Sequence, residues 1–152
     1  MMSSSLPLAD PATPSGTVRF AVVGLGYIGR RHAELLYRHP QAELSAVVEP
    51  DRQLAQAAQQ WGLTAYSSLS ELLASVPEVE VVTLCTPNAL HCPQALEVLA
   101  AGRHVVVEKP MGLSRAACRA RAAIRHALQA RRGGRAVVRA RGRVAEQRPL
   151  VR

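Results

Sequence analysis

The glycine pattern at residues 24–29 constrains this chain more than any other feature. Gly24-Leu25-Gly26-Tyr27-Ile28-Gly29 stands directly behind the apolar, β-branched run Val18-Arg19-Phe20-Ala21-Val22-Val23 and opens a stretch of helical character that reaches Tyr37. A strand entering a helix through glycines at this spacing allows a tight turn at Gly24 and a close backbone approach to a pyrophosphate at Gly26. Gly29 then lets the helix pack near the strand. The free N–H groups of the helix start face the anion. Taken alone, the spacing also suits an ordinary glycine-rich turn, and it is the strand-to-helix setting that favours the anion-binding reading.

The alternation begun there continues. His39-Pro40 stops the first helix. Leu44–Val48 predicts a second strand, and Asp51 an N-cap for an Ala/Gln-rich helix that runs to Trp61 and stops at Gly62. A short strand near Thr64–Tyr66 and a short helix near Leu69–Ala74 follow. Val79–Leu84 predicts a strand between Pro77 and Pro87, Pro93–Ala101 a helix ending at Gly102, and His104–Val107 a last strand. Strands apolar on both faces, alternating with helices, predict an α/β fold: a parallel sheet with helices on both faces.

Composition sharpens this only when the chain is divided. The net charge is +8 over 152 residues, which by itself suggests nucleic acid or an acidic membrane. Residues 1–113 hold 7 Lys+Arg against 10 Asp+Glu, whereas residues 114–152 hold 12 Arg, no Lys and the single acid Glu146. The basicity therefore belongs to the last quarter of the chain. Large apolar residues also thin out, from 34 of 97 positions in 17–113 to 7 of 39 in 114–152, so the core is expected in 17–113. Residues 1–16 read as a disordered leader, with neither the basic nor the apolar region of a secretory signal. Ser114 can cap an Ala-rich helix to about Arg132, beyond which only Ala136–Val138 offers a strand. No apolar run approaches the roughly 20 residues of a membrane span. Cys85, Cys92 and Cys118 are odd in number and lack CxxC spacing, which argues against disulfides and zinc and for thiols in a reducing cytoplasm.

Three further constellations carry chemistry. Glu49, at the end of the second strand, can accept the hydroxyls of an adenosine ribose and would repel a 2′-phosphate; it also reads as a surface acid in a turn. NAD is favoured over NADP on this ground, while Arg52 keeps NADP open. Cys85-Thr86-Pro87-Asn88-Ala89-Leu90-His91 follows a strand at the sheet edge where ligands lie, and Asn88 and His91 can reach a ribose or phosphate there. From composition alone, a Pro-terminated strand before a helix N-cap is the favoured reading of that segment. Glu108-Lys109-Pro110 closes the last strand; it reads as a strand-end charge pair, or as a cleft in which desolvation lowers the lysine pKa for proton chemistry.

Together GLGYIGRRH, VVEPD, CTPNALH and GRHVVVEKPMGLS resemble, in order and spacing, the cofactor domain of the Gfo/Idh/MocA oxidoreductases, over Thr17–Ser114. The resemblance implies a Rossmann-like domain at 17–113 and an NAD(P)-dependent enzyme acting on a hydroxyl carbon of a sugar, inositol or nucleotide sugar. It implies that Gly24, Gly26, Tyr27 and Ile28 line the pyrophosphate and that Glu49 holds the adenosine ribose. Thr86, Pro87, Asn88 and His91 would contact the middle of the cofactor, and Glu108 would lie near the nicotinamide ribose. Lys109 would be the catalytic lysine that orients or polarises the reacting hydroxyl. His32 also matches a family habit and reads as mainly structural.

The family's second α/β domain, which forms the substrate pocket and the subunit interface and supplies a DxxxH-like pair, has no counterpart here. No Asp follows Asp51, and the one His after Lys109 is His126. An arginine-rich stretch that starts abruptly and lacks Lys and Asp is what an out-of-frame reading of GC-rich DNA yields. A truncated or frameshifted product is therefore expected, with the authentic sequence ending between about Ser114 and Cys118 and with cofactor binding but no turnover. The alternative is a free-standing dinucleotide-binding module whose basic arm holds nucleic acid through phosphates. The arm has no aromatic residue for base stacking, which disfavours it.

Overall fold

The computed structural model describes residues 16–110. Residues 1–15 of the expected leader, the Ser114–Arg132 helix, the Ala136–Val138 strand and Cys118 lie outside the described residues.

Five strands form one parallel sheet: β1 (Val18–Val23), β2 (Ala42–Val48), β3 (Ala65–Tyr66), β4 (Val81–Leu84) and β5 (His104–Val107), in the order β3-β2-β1-β4-β5. The helices are α1 (Tyr27–Arg38), α2 (Arg52–Ala55, continuing as a 3₁₀ turn over Gln56–Trp61), α3 (Leu69–Ser75) and α4 (Asn88–Ala100).

Successive side chains of a strand point to opposite faces, and both faces of this sheet are covered. Ala21 and Val23 of β1, Val48 and Val82 pack with Leu72 of α3 and with Ala95 and Val98 of α4. On the other face Val22 and Val47 pack with Ala33 of α1, Ala58 and Trp61. The expected α/β sandwich is the observed one, with α1 and the 3₁₀ turn on one face and α3 and α4 on the other.

Two helices differ from expectation. The helix predicted through Trp61 is α-helical only to Ala55. Residues three apart align in a 3₁₀ turn, so Ala58 and Trp61 are both buried against the sheet. Gly62, in the left-handed region at φ 70°, ends the turn. The helix predicted from Pro93 starts five residues earlier, at Asn88, with Pro87 as its N-cap. Pro93 lies inside it because the N–H it lacks would have served Ala89, an exposed residue whose carbonyl can turn to solvent. Among the described residues, no helix is long and apolar enough to cross a membrane.

Candidate functional site

From β1 the chain winds outward through β2 to β3, then returns across the sheet to β4 and β5. The order reverses between β1 and β4, and the loops that leave the carboxyl ends of those strands part there. This leaves a crevice of the kind in which open α/β sheets hold ligands. A cavity of about 870 Å³ occupies it.

The glycine loop forms one wall. Gly24 has φ +89°, and its N–H donates to the Val48 carbonyl at 2.8 Å, which turns the chain sharply out of the sheet. A Cβ on Gly24 would sit 2.9 Å from the Cys85 carbonyl oxygen, and one on Gly29 would sit 1.7 Å from the Gly24 carbonyl oxygen. A Cβ on Gly26, by contrast, would meet nothing within 4 Å. Gly24 and Gly29 are thus required by the fold itself, whereas the open side of Gly26 is space into which another molecule can come. That is the geometry a pyrophosphate needs. Tyr27 and Ile28, both exposed, follow at the start of α1 and border the same cavity.

Glu49 stands behind the loop at the end of β2 and is buried, 8% exposed. Its Oε2 accepts the Leu25 N–H at 2.7 Å and its Oε1 the Asp51 N–H at 3.0 Å. Two backbone donors compensate the burial of the carboxylate. Each oxygen keeps a lone pair, and the residue borders the cavity, so further hydroxyl donors can still be accepted.

Thr86 and Pro87, after β4, form the opposite wall. The Thr86 hydroxyl donates to Gln94 Oε1 at 2.6 Å, and the Ser70 hydroxyl donates to Glu97 Oε1 at 2.6 Å. Gln94, Glu97, Ser67 and Ser68 also border the cavity, and none of them was anticipated. Ser67 and Ser68 could have been found as the loop after a third parallel strand. Gln94 and Glu97 could not, because the face that α4 turns to the cavity is set by how the helix docks on the sheet.

Other expected residues stand outside the cavity wall. Asn88 is exposed at the start of α4. His91, expected to reach a ribose or phosphate, is 1% exposed; its Nε2 lies 2.7 Å from the Thr86 carbonyl oxygen and its Nδ1 3.1 Å from that of Pro110. Glu108 follows β5, where its Oε1 lies 2.7 Å from His32 Nε2 on α1; both side chains are 34% exposed. His32 therefore joins the helix that leaves the glycine loop to the end of β5. Lys109 is exposed at the end of the described residues. Cys85, on the floor beside Gly24, has its thiol pKa pushed up to about 12, first by burial and then by the negative charge of Glu108.

Residues 18–134 match the family model for Gfo/Idh/MocA, described as an oxidoreductase family with an NAD-binding Rossmann fold. An uncharacterized oxidoreductase of Streptococcus pneumoniae is 37% identical over 102 residues, 67% of this chain and 27% of its own length. Trans-1,2-dihydrobenzene-1,2-diol dehydrogenase of Mus musculus is 37% identical over 106 residues, 67% of this chain and 32% of the enzyme. Among solved structures, the WlbA dehydrogenase from Bordetella pertussis in complex with NADH and UDP-GlcNAcA superposes with a TM-score of 0.66 at 38% identity, over 73% of this chain and 35% of that one. GenD2 from gentamicin A biosynthesis, in complex with NAD, gives 0.69 at 36% identity, over 89% of this chain and 36% of its own. The chain thus spans about a quarter to a third of the curated relatives it matches. A Rossmann crevice walled by a glycine loop, a buried acid behind that loop and a family match over most of its length make this chain a member of the Gfo/Idh/MocA oxidoreductases, carrying their NAD-binding domain.

Proposed function

We propose that the chain is the cofactor-binding portion of an NAD(P)-dependent oxidoreductase that acts on a hydroxyl carbon of a sugar, inositol or nucleotide-sugar substrate. The observation that carries the proposal is convergence. The glycine loop after β1, Glu49 after β2 and Thr86–Pro87 after β4 border one cavity. Glu108 and Lys109 close β5, which pairs with β4 through Leu84 and Val107 beside that cavity. The likeness to WlbA, solved with a nucleotide sugar, supports the substrate class.

When bound, the nicotinamide supplies or accepts the hydride. The chain's own groups bind and orient. Gly24, Gly26, Tyr27 and Ile28 approach the pyrophosphate, with Gly29 keeping α1 close enough to β1 for its N-terminus to face the anion. Glu49 accepts adenosine-ribose hydroxyls on its remaining lone pairs and repels a 2′-phosphate, so NAD is preferred to NADP. Thr86, Pro87 and Asn88 flank the middle of the cofactor. Glu108, held by His32, serves the nicotinamide ribose, and Lys109 orients the reacting hydroxyl.

Calorimetric titration of the full chain with NAD⁺ and NADP⁺ tests this reading. Saturable binding with NAD⁺ the tighter ligand is expected. No heat with either from folded protein overturns the cofactor assignment, and tighter NADP⁺ binding overturns the role given to Glu49.

A further inference from the structure

The inward face of α4 is apolar except at its beginning. Cys92, Ala95, Val98 and Leu99 are buried there, and His91 is buried with them at 1% exposure. An imidazole so placed requires polar partners. It finds them where the sheet stops. The β4–β5 ladder runs to Leu84 and Val107, and the last bond across it is Glu108 N–H to the Leu84 carbonyl at 3.2 Å. Beyond that point the two chains diverge, and their carbonyls need donors from elsewhere. The His91 ring lies between them, with Thr86 O at 2.7 Å from Nε2 and Pro110 O at 3.1 Å from Nδ1. Its neutral form donates to one carbonyl and its protonated form to both.

We propose that His91 is a positioning residue for the cofactor half distant from Glu49. Its ring ties the Thr86–Pro87 wall of the cavity to the Glu108-Lys109-Pro110 segment, and it acts on bound NAD through those segments without touching it. This rests on the NAD-binding reading above. Glu49 and the glycine loop, which serve the other half, make no hydrogen bond to His91. Losing the tether should therefore affect the two halves unequally.

The test uses the full chain and two ligands, NADH and AMP, the second carrying only the adenosine half. His91→Phe keeps the ring volume and removes both nitrogens; His91→Gln keeps an N–H donor. Phe should weaken NADH about tenfold, the scale expected for a lost buried hydrogen bond. AMP should stay within about twofold of wild type, and Gln should recover part of the NADH loss. Equal loss for both ligands, or no loss for NADH, overturns the proposal. Should Phe fail to fold, Gln against wild type must still show the unequal loss. Hydrogen exchange without any ligand separates failure of this idea from failure of the NAD reading. The Glu108 amide should exchange about tenfold faster in the variant, with β1 and β2 amides unchanged. Unchanged exchange at Glu108 overturns the tether whether or not wild type binds NADH.

Discussion

The N–H of Leu25 donates to Oε2 of Glu49 at 2.7 Å, so the acid proposed to hold the adenosine ribose also braces the glycine loop from behind. One residue therefore links the integrity of the loop to the affinity of the site. Glu49→Ala leaves the Leu25 N–H buried without its acceptor, a loss of about 1–3 kcal/mol. Thermal unfolding should show a lower Tm, and calorimetry a weaker NAD⁺. A variant with unchanged Tm would show that the brace is not needed.

The three glycines of the loop should fail in different ways. Gly29→Ala drives a methyl group into the Gly24 carbonyl, and Gly24→Ala meets both the Cys85 carbonyl and a positive φ, so both should unfold or aggregate. Gly26→Ala meets open space in the free protein and should keep the wild-type Tm while losing about tenfold or more in NAD⁺ affinity. Melting curves and titrations of the three variants side by side would reveal the pattern; a Gly26→Ala variant that binds normally would contradict it.

Cys85 predicts an alkaline weakness. Its thiol is held up to about 12 in the folded chain, against an ordinary value of 9.0, because burial and the Glu108 charge both oppose the thiolate. Between about pH 9 and 12 the unfolded chain loses this proton while the folded chain keeps it, so stability falls as pH rises through that window. Cys85→Ala should flatten the decline in denaturant titrations above pH 9. Glu108→Gln should reduce it only in part, since burial remains. Iodoacetamide at pH 8 should leave Cys85 unmodified until the protein unfolds.

The His32–Glu108 pair should matter more for ligand binding than for stability. Both side chains are about one-third exposed, and such pairs contribute ~0–1 kcal/mol. His32→Ala should shift Tm by only a few degrees, yet weaken NAD⁺ by freeing Glu108 to turn away from the site. Equal NAD⁺ affinity in wild type and variant would remove Glu108 orientation from the role of His32.

The order of strands and helices was legible because two physical rules repeat along the chain. Strands buried on both faces read as near-continuous apolar runs, such as Ala21–Val23 and, interrupted only by Thr83, Val81–Leu84, and Gly or Pro marks most of the turns between them. What misled was Pro93, which suits a first helical turn but also tolerates a place one turn inside a helix when the carbonyl it abandons is exposed. The five added residues bring His91 into α4, where it is buried at the sheet end. The docking of α4 on the sheet, which its residue pattern does not state, brings Gln94 and Glu97 to the cavity wall.

The sequence by itself determined the parallel α/β fold, the glycine loop with its strand-to-helix setting, and the acid at the end of the second strand. These depend on periodicity, on backbone freedom and on spacing along one strand–helix–strand unit, all of which are local. Only the tertiary structure decided how each polar group is engaged. Glu49 shares its carboxylate with Leu25, His32 reaches across the fold to Glu108, and His91 spans two strand ends with its ring out of the cavity. Those partners lie between 5 and 76 residues apart and meet because β1, β2, β4 and β5 end at one edge of the sheet. A hydrogen bond depends on that final approach to within about 3 Å, which no pattern of residue types contains.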